Sequence, residues 1–328
     1  MAACRIGFVG AGGVAARHAR TLTGLPQVRL VAVTDPDVER RRRFADEYGV
    51  RALPDLDALL ASGIDAVYVC VPPFAHGPVE EAVAAAGVAL FVEKPLSLAY
   101  EVAERAARML AAAGVVTAVG HHWRYSAAVR RAQRLLGGHQ VRLASGAWLD
   151  KVPPVPWWSQ RSCSGGQIVE QAVHVLDLAR LLVGEVEEVY ALAEAAPPDG
   201  SGGDVDCATA VTLRFAGGAV GTLGVTCRLT WKHRAGLEIY ADGLALALSE
   251  DGLEVRDAAG VLREKVDPDE AKRASDRAFV DALLGVGDGV LVPYEEALRS
   301  HRLACAVARS VVERAPVRLV GGDADARR

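Results

Sequence analysis

The 328-residue sequence has few cysteines, and none of them are paired in sequence. The six cysteines are widely scattered, and no two form a CxxC pair. Metal sites and disulfide frameworks need clustered or regularly spaced cysteines, so neither is predicted. Scattered thiols fit a reducing compartment, and we expect a cytoplasmic protein.

Long apolar runs and an excess of one charge are also missing. No apolar stretch is long enough to span a bilayer, and no basic region followed by an apolar segment opens the chain, so we expect neither a membrane anchor nor a signal peptide. The 37 basic and 41 acidic residues are intermixed and give a formal net charge of −4. This argues against a nucleic-acid or an anionic-membrane partner. The length is sufficient for two domains.

The first 120 residues alternate between short apolar runs and segments with helical spacing. The nearly continuous apolar runs predict parallel strands covered on both faces. Strand–helix repetition of this length is typical of βαβ units, so the sequence predicts an α/β fold with a Rossmann-type, doubly wound parallel sheet over residues 1–121. The predicted strands are 6–9, 30–34, 66–71, 89–92 and 115–119, and the predicted helices are 14–22, 38–48, 56–61, 79–86 and 99–113.

After residue 121 the apolar residues alternate at strand spacing, with turn signals such as AGG at 216–218 and DG at 242–243. This pattern predicts an antiparallel meander within a second α/β domain over 122–314. Its last helix is long enough to reach back to the first domain. We expect a loop at 196–204 and a tail at 315–328, frayed at its end. The predicted helices are 127–136, 167–183, 269–284 and 294–313, and the predicted strands are 142–148, 189–193, 207–215, 219–227, 237–241, 244–248 and 253–255.

A glycine-rich turn joins the first strand to the first helix, with the G-x-G-x-x-A sequence of residues 10–15. Gly10 permits the tight turn, and Gly12 lets a pyrophosphate approach the backbone. The backbone N–H groups at the positive helix end, including those of Gly13 and Val14, would then hold the phosphates. The turn predicts dinucleotide binding.

An acidic residue, Asp35, follows the second strand. A carboxylate there accepts hydrogen bonds from ribose hydroxyls and repels a 2′-phosphate, which favours NAD, although the arginines at 40–43 leave NADP possible. Val71 and Pro72 end the next strand at the same edge of the sheet and are predicted to lie along the cofactor. His76 is either a contact of cofactor or substrate, or the cap of the next helix.

The predicted strand at 89–92 ends in Glu93, Lys94 and Pro95. Ligands of doubly wound sheets bind at the carboxyl ends of the strands, so Lys94 is predicted to project into the crevice of the glycine turn. A partly desolvated lysine beside a cationic cofactor can exchange protons near neutrality, and Glu93 can orient it. The alternative is that these charges only mark where a buried strand reaches water.

Three ionisable residues, Glu170, His174 and Asp177, share one face of a predicted helix. Burying three ionisable side chains among apolar neighbours costs free energy unless they face a polar pocket. The E-x-x-x-H spacing also resembles a metal pair, but a third ligand is not evident and no metal is predicted. A buried structural histidine remains an alternative.

The order of these motifs resembles the glucose-fructose oxidoreductase / inositol dehydrogenase / MocA (Gfo/Idh/MocA) family of oxidoreductases. The resemblance implies a Rossmann domain followed by an α/β domain with an open, mostly antiparallel sheet, whose face forms homodimer or homotetramer contacts. The matching segments are the glycine turn, VPPFAH at 71–76, EKPLS at 93–97, WRY at 123–125, GGQIVEQAVHVLD at 165–177 and the YEEAL helix beginning at 294.

The resemblance also implies an activity. Hydride moves between nicotinamide and a carbinol or ketone carbon of a sugar or cyclitol, and Lys94 and His174 act as the general acid–base pair. Two alternatives remain open: an NAD-dependent glycoside hydrolase that oxidises its substrate transiently, and a dinucleotide sensor without catalysis.

Further substrate contacts follow from the resemblance. Asp177 matches a position that binds sugar hydroxyls in inositol dehydrogenase-like members, and His122, Trp123 and His233 correspond to weaker candidates. The chain departs from the family pattern at Glu170, where many members carry Asp, so we expect a pocket of different shape.

Overall fold

The computed structural model describes residues 3–194, 202–287 and 289–319. Most of the predicted loop at 196–204, and the predicted frayed end of the tail, lie outside these ranges. The chain divides into two compact units, one made of the segment up to Tyr125 with Asp269–Leu298, the other of Ser126–Pro268 with the segment from Arg299 onward. The segment 269–298, which the sequence pattern assigned to the second domain, thus groups with the first.

The first unit is built on a parallel sheet. Its strands within the described residues are β1 (Cys4–Val9), β2 (Val28–Thr34), β3 (Arg51–Ala52), β4 (Ala66–Val69), β5 (Ala89–Val92) and β6 (Thr117–Val119). They are ordered β3-β2-β1-β4-β5-β6. The predicted doubly wound parallel sheet is confirmed. Only β3 was not predicted, because two residues carry no periodic pattern.

Helices follow most of these strands. They are α1 (Gly13–Thr23), α2 (Val38–Tyr48), α3 (Leu56–Leu60), α4 (Pro78–Ala86) and α5 (Tyr100–Ala113). Local sequence explains their ends: the Asp37 side chain accepts a hydrogen bond from the backbone N–H of Arg40 at the start of α2, and Gly49 ends the helix at φ +64°. Two clusters of buried side chains cover the sheet, and large residues such as Phe8, Tyr68 and Phe91 are fully buried.

The second unit is built on a mixed sheet. Its strands are β7 (Val141–Leu149), β8 (Val186–Glu194), β9 (Ala208–Phe215), β10 (Val220–Thr226), β11 (Arg234–Ala241), β12 (Leu244–Ser249), β13 (Gly252–Asp257), β14 (Gly260–Lys265) and β15 (Val317–Arg318). Over the described ranges they run in the order β14-β13-β12-β11-β7-β10-β9-β8-β15, and every pair except β7–β10 is antiparallel. The predicted open, mostly antiparallel sheet is confirmed. Strand β15 lies within the segment predicted as a tail.

Helices cover one face of this sheet. They are α6 (Ala127–Leu136), which contacts β12 and β13, and α8 (Val173–Val183), which contacts β7 and β11. The short helix α7 (Arg161–Ser164) precedes a π-helical turn, Ile168–Ala172, that leads directly into α8. On the opposite face Leu143 pairs with Val220 and with Tyr240, and these side chains are 40%, 47% and 38% exposed. The sheet therefore presents an apolar patch on its open face.

Two further helices, α9 (Pro268–Leu283) and α10 (Tyr294–Glu313), complete the fold. In the first unit Phe279 of α9 packs among Phe8, Tyr68 and Phe91. Across the part of the chain that the structure describes, no helix has both the length and the apolar character needed to cross a membrane.

Candidate active site

The glycine turn is open toward the start of α1. Gly10 has φ +92°, and a Cβ atom there would collide with the carbonyl oxygen of Cys70, so this position requires glycine. A Cβ atom added at Gly12 or Gly13 would meet no described atom within 4 Å apart from its chain neighbours and its own helix, and no described side chain caps the helix. The first N–H groups of α1 therefore receive no side-chain cap within the described residues, which fits a bound pyrophosphate.

Asp35 is held directly against this turn. Its carboxylate is 4% exposed and accepts hydrogen bonds from the backbone N–H groups of Ala11 and Asp37, both at 2.8 Å. A carboxylate has about four acceptor sites, so capacity remains for ribose hydroxyls. Arg40 Nη1 lies 3.6 Å from Asp35 Oδ2, and Arg41 Nη1 donates to the carbonyl oxygens of Asp35 and Pro54. Arg42 Nη1 lies 3.9 Å from Glu39 Oε1, so three of the four arginines have local acceptors, an arrangement that fits NAD.

The segment after β4 carries three predicted contacts. Val71 is partly buried, and Pro72 begins a 3₁₀ turn at Pro73–Ala75 that ends at His76. The His76 ring is buried, with Nδ1 2.6 Å from Glu80 Oε1. Its Nε2 atom has no hydrogen-bond partner within the described residues. His76 is thus fixed at the start of α4, while its second nitrogen retains hydrogen-bonding capacity.

Glu93, at the end of β5, lies at the centre of a buried ionic network. Its Oε1 atom accepts from His18 Nε2 and from Arg17 Nη2, both at 2.9 Å. On the other side of the imidazole, His18 Nδ1 is 2.6 Å from Asp276 Oδ1. Gly120 allows this packing, because a Cβ there would approach Glu93 Cδ to 2.6 Å.

The network fixes the charge of its members. Burial raises the pKa of Glu93, but the hydrogen bond from His18 and the charges of Arg17, His18 and Lys94 outweigh it and hold that pKa well below the ordinary value. Burial lowers the pKa of His18, but Asp276 and Glu93 outweigh it and raise the pKa to about 9. His18 is therefore an imidazolium and Glu93 a carboxylate at neutral pH.

Lys94 follows Glu93 directly and is partly exposed, and its peptide bond to Pro95 is cis. The backbone N–H of Lys94 donates to Glu93 Oε2 at 3.2 Å. Since β1, β4 and β5 are neighbours in the sheet, the lysine lies at the same edge of the sheet as the glycine turn. The alternative is that these charges only mark where a buried strand reaches water. It does not account for Glu93, whose side chain is buried and hydrogen-bonded to His18 and Arg17.

His122 and Trp123 lie in a 3₁₀ turn after β6. Trp123 is 5% exposed and His122 is partly buried. The turn is fixed within the first unit, because the hydroxyl of Tyr125 accepts from the N–H of Leu291 at 3.0 Å.

In the second unit, the π-helical turn and α8 carry the predicted polar face. Glu170 Oε2 accepts from Trp158 Nε1 at 2.9 Å, and Trp158 is fully buried. His174 is 6% exposed, and its ring lies 5.8 Å from the Trp148 ring at 18° between planes. Lys232 Nζ lies 5.5 Å from the Trp148 ring centroid. Two tryptophans thus fix the carboxylate and the imidazole.

Asp177 and His233 have different surroundings. Asp177 is 1% exposed and accepts from the Ser300 hydroxyl at 2.6 Å, and that hydroxyl accepts from Arg180 Nη1 at 2.6 Å. This carboxylate therefore belongs to a buried hydrogen-bonded cluster of the second unit. His233 is exposed, immediately before β11, and its N–H donates to Leu149.

Two glutamines on the same helical segment were not predicted. Gln167 is 4% and Gln171 is 7% exposed. Neither polar atom of the Gln167 side chain, nor the amide oxygen of Gln171, has a hydrogen-bond partner in the part of the chain that the structure describes. Buried amides without partners are costly, so these atoms are suited to bind hydroxyl groups.

Each unit thus assembles part of the predicted site. The first unit joins Asp35 to the glycine turn and Glu93 to Lys94, whereas the second places Glu170 and His174 on one helical segment. Lys94 and His174 belong to different units, and their pairing remains a prediction. Over the described ranges, no group of three or more His, Cys, Asp or Glu side chains is arranged to hold a metal ion.

Several known proteins resemble this chain in sequence and in structure. Residues 4–121 match the Gfo/Idh/MocA model for an oxidoreductase family with an NAD-binding Rossmann fold, and residues 132–245 match a C-terminal domain model of that family. The inositol 2-dehydrogenase of Rhizobium meliloti is 29% identical over 94% of this chain and 97% of its own length. The myo-inositol 2-dehydrogenase of Thermotoga maritima is 30% identical over 72% of each chain. A solved structure of GenD2 from gentamicin A biosynthesis, in complex with NAD, is 25% identical and superposes with a TM-score of 0.86 over 98% of this chain and 97% of that one.

The parallel sheet, the open glycine turn and the buried Asp35 together define an oxidoreductase with an NAD-binding Rossmann domain. The chain belongs to the Gfo/Idh/MocA family of oxidoreductases, since both of its halves match that family. The resemblance inferred from the sequence motifs is thereby confirmed.

Proposed function

We propose that this protein is an NAD-dependent dehydrogenase of a sugar or cyclitol, with Lys94 and His174 as its acid–base pair. The observation that carries the proposal is the placement of Lys94 beside a buried, ionised Glu93, at the sheet edge that carries the glycine turn. Ligands of doubly wound sheets bind at the carboxyl ends of the strands, which is where Lys94 lies.

The chain's own residues bind the reactants and move the proton. The N–H groups of Gly12, Gly13 and Val14 bind the phosphates, and Asp35 binds the ribose. Bound NAD supplies the hydride acceptor. Lys94 or His174 takes the proton of the substrate hydroxyl during oxidation, and returns it during reduction.

The other proposed cofactor contacts are Val71, Pro72, His76 and Glu93. Val71 and Pro72 follow β4, next to the strand that carries the glycine turn. The buried Nε2 of His76, which lacks a partner within the described residues, is suited to a cofactor or substrate oxygen.

A polyhydroxylated substrate is supported by the polar face of the second unit. Buried amide groups of Gln167 and Gln171 can exchange hydrogen bonds with neighbouring hydroxyls, and the Glu170 carboxylate can accept another. Relatives named inositol 2-dehydrogenase and scyllo-inositol 2-dehydrogenase point to the same substrate class. The other proposed substrate contacts are Asp177, His122, Trp123 and His233.

A homodimer or homotetramer through the open face of the second sheet is also proposed. The exposed Leu143, Val220 and Tyr240 lie side by side there, and Leu192 on β8 is 55% exposed. Exposed apolar patches of this kind mark interaction surfaces. A Leu143→Glu, Val220→Glu variant should dissociate to monomers in light-scattering measurements, and a wild-type monomer would contradict the assignment. None of the six cysteines, all of which lie within the described residues, forms a disulfide, and this accompanies a proposed cytoplasmic location.

A panel of cyclitols, sugars and keto-sugars tests the proposed activity, with nicotinamide absorbance read in parallel for NAD and NADP. We expect net NADH formation with a polyol and a preference for NAD over NADP. Release of a chromogenic aglycone without net NADH would refute the dehydrogenase assignment. Dinucleotide binding without turnover of any member of the panel, in either direction, would also contradict it.

A further inference from the structure

Three charged side chains meet in the first unit where the proposed cofactor places its ribose. We call Asp35, Asp37 and Arg40 the ribose-end cluster. Asp35 directly follows β2, Asp37 is the N-cap of α2, and Arg40 lies in the first turn of that helix. The backbone N–H of Asp37 donates to Asp35 Oδ1 at 2.8 Å. This hydrogen bond fixes the start of α2 against the Asp35 carboxylate.

The Arg40 guanidinium lies between the two carboxylates of the ribose-end cluster. Its Nη1 atom is 3.6 Å from Asp35 Oδ2, and its Nη2 atom donates to Asp37 Oδ2 at 3.1 Å. The side chains of Arg40 and Asp37 are 47% and 43% exposed, whereas that of Asp35 is 4% exposed. An exposed ion pair contributes little free energy, so Asp37 holds the guanidinium without locking it in place.

The next two arginines of α2 are directed to other acceptors. Arg41 Nη1 donates to the main-chain carbonyl oxygens of Asp35 and Pro54. Arg42 Nη1 lies 3.9 Å from the Glu39 carboxylate. Among the described residues, Arg40 is thus the arginine whose guanidinium approaches the Asp35 carboxylate.

A phosphate on the ribose 2′-oxygen would lie beside this guanidinium. In the proposed cofactor site, the Asp35 carboxylate accepts hydrogen bonds from the ribose hydroxyls. A 2′-phosphate is attached to one of those oxygens, so it would be placed next to Asp35 and to the cation 3.6 Å away. Guanidinium groups bind phosphate through two parallel N–H···O hydrogen bonds. The side chain of Arg40 therefore has the charge, the donors and the position for this group.

We propose that Arg40 binds the 2′-phosphate of NADPH, and that Asp37 is a positioning residue that limits this binding by holding the guanidinium. The inference rests on the proposed function, in which Asp35 binds the ribose of the cofactor. The Asp35 carboxylate repels a 2′-phosphate, whereas Arg40 attracts it after leaving Asp37. NAD is thus preferred, and NADP is accepted to a degree that Asp37 sets.

Removing one charge or the other should change NADPH affinity in opposite directions. Arg40→Gln should weaken NADPH binding by about tenfold, the usual size of a hydrogen bond to a charged group. Asp37→Asn should strengthen it by about threefold, the usual size of an exposed ion pair. Asn is also a good helix cap, so its Oδ1 atom can still accept from the backbone N–H of Arg40, as Asp37 Oδ1 does at 2.9 Å. NADH affinity should stay near its wild-type value in both variants.

Fluorescence titration of the full-length protein with NADH and with NADPH measures both affinities in the absence of substrate. Added KCl should weaken NADPH binding more steeply than NADH binding in wild type, because it screens exposed charges, and Arg40→Gln should reduce this difference. Arg42→Gln is the matched control, since Arg42 is a 68% exposed arginine of the same helix that lies against Glu39. It should leave both affinities unchanged. An unchanged NADPH affinity in Arg40→Gln, or a wild type that does not bind NADPH, would overturn the proposal.

The double variant Arg40→Gln, Asp37→Asn tests whether Asp37 acts through Arg40. If it does, Asp37→Asn should no longer strengthen NADPH binding once the guanidinium is absent, so the effects of the two substitutions should not add. A direct repulsion between the Asp37 carboxylate and the phosphate would persist in the double variant. An equal gain in NADPH affinity with and without Arg40 would therefore exclude the positioning role of Asp37.

The failure of this proposal can be told apart from failure of the proposed function. The titration uses neither substrate nor turnover, so a wrong substrate class does not change its result. If neither nucleotide binds to wild type, the proposed function fails as well. If NADH binds and supports turnover while Arg40→Gln leaves NADPH affinity unchanged, the proposed function stands and only the role of Arg40 is excluded.

Discussion

The buried imidazolium of His18 stabilises the protein at neutral pH, and we expect this stabilisation to be lost at alkaline pH. Its pKa is raised from an ordinary 6.5 to about 9. The difference, 2.5 pH units, corresponds to about 3 kcal/mol at 1.36 kcal/mol per unit. Because the folded chain binds this proton more tightly than the unfolded chain, the stabilisation is fully present below pH 6.5 and is lost as pH rises through 9.

The measurement compares wild type with His18→Gln, so that groups common to both proteins cancel. Thermal unfolding is followed by calorimetry at pH values from 6 to 10. In a unit of this size, 1 kcal/mol changes Tm by about 2–4 °C, so the excess stability of wild type should shrink by about 6 to 12 °C between pH 6 and pH 10. Asp276→Asn removes one carboxylate partner of His18. The difference in Tm between wild type and this variant should likewise shrink between pH 6 and pH 10. A difference in Tm that stays constant over this pH range would refute the assignment of a charged, buried His18.

Three further substitutions probe the site. Lys94→Ala should lower turnover by about two to four orders of magnitude while leaving NAD affinity unchanged, as measured by steady-state kinetics and by fluorescence titration. Turnover equal to that of wild type would contradict a catalytic role for Lys94. Asp35→Asn should weaken NAD binding by about tenfold and reduce discrimination against NADP, whereas the exposed Asp46→Asn should change neither in the same titration. Gln171→Leu should raise KM for the substrate by about tenfold without lowering Tm, because it removes a buried carbonyl that has no described partner. Gln133→Leu, on an exposed face of α6, is its control, and an equal effect in both glutamine variants would contradict a substrate contact.

Much of the fold could be predicted from local patterns. The helices at 38–48 and 127–136 have the predicted limits, since Asp37 and Ser126 cap their first turns and Gly49 and Gly137 follow their last residues. Strand β14 was missed because almost all of its residues are exposed, which leaves no alternation to recognise. Parallel pairing of β7 with β10 was also not predicted, because register depends on the whole sheet.

The candidate site was predictable in its motifs but not in its supporting contacts. The glycine turn and Asp35 lie close in sequence to the strands they follow, and the structure joins them by a hydrogen bond. Glu93 was expected only to orient Lys94, while its actual partners, His18 and Arg17, occupy ordinary helical positions. Gln167 and Gln171 differ from their neighbours only in polarity, a signal that becomes informative once their burial is known.

The sequence by itself determined the βα alternation, the glycine turn, Asp35 and the family, because each depends on residues close together along the chain. Only the tertiary structure decided the surroundings of the reactive groups. His18 and Asp276 are 258 positions apart and approach to 2.6 Å because α1 and α9 both pack around the buried rings of Tyr68 and Phe91. Local periodicity reports which face of an element is buried, but it does not report which distant side chain shares that interior.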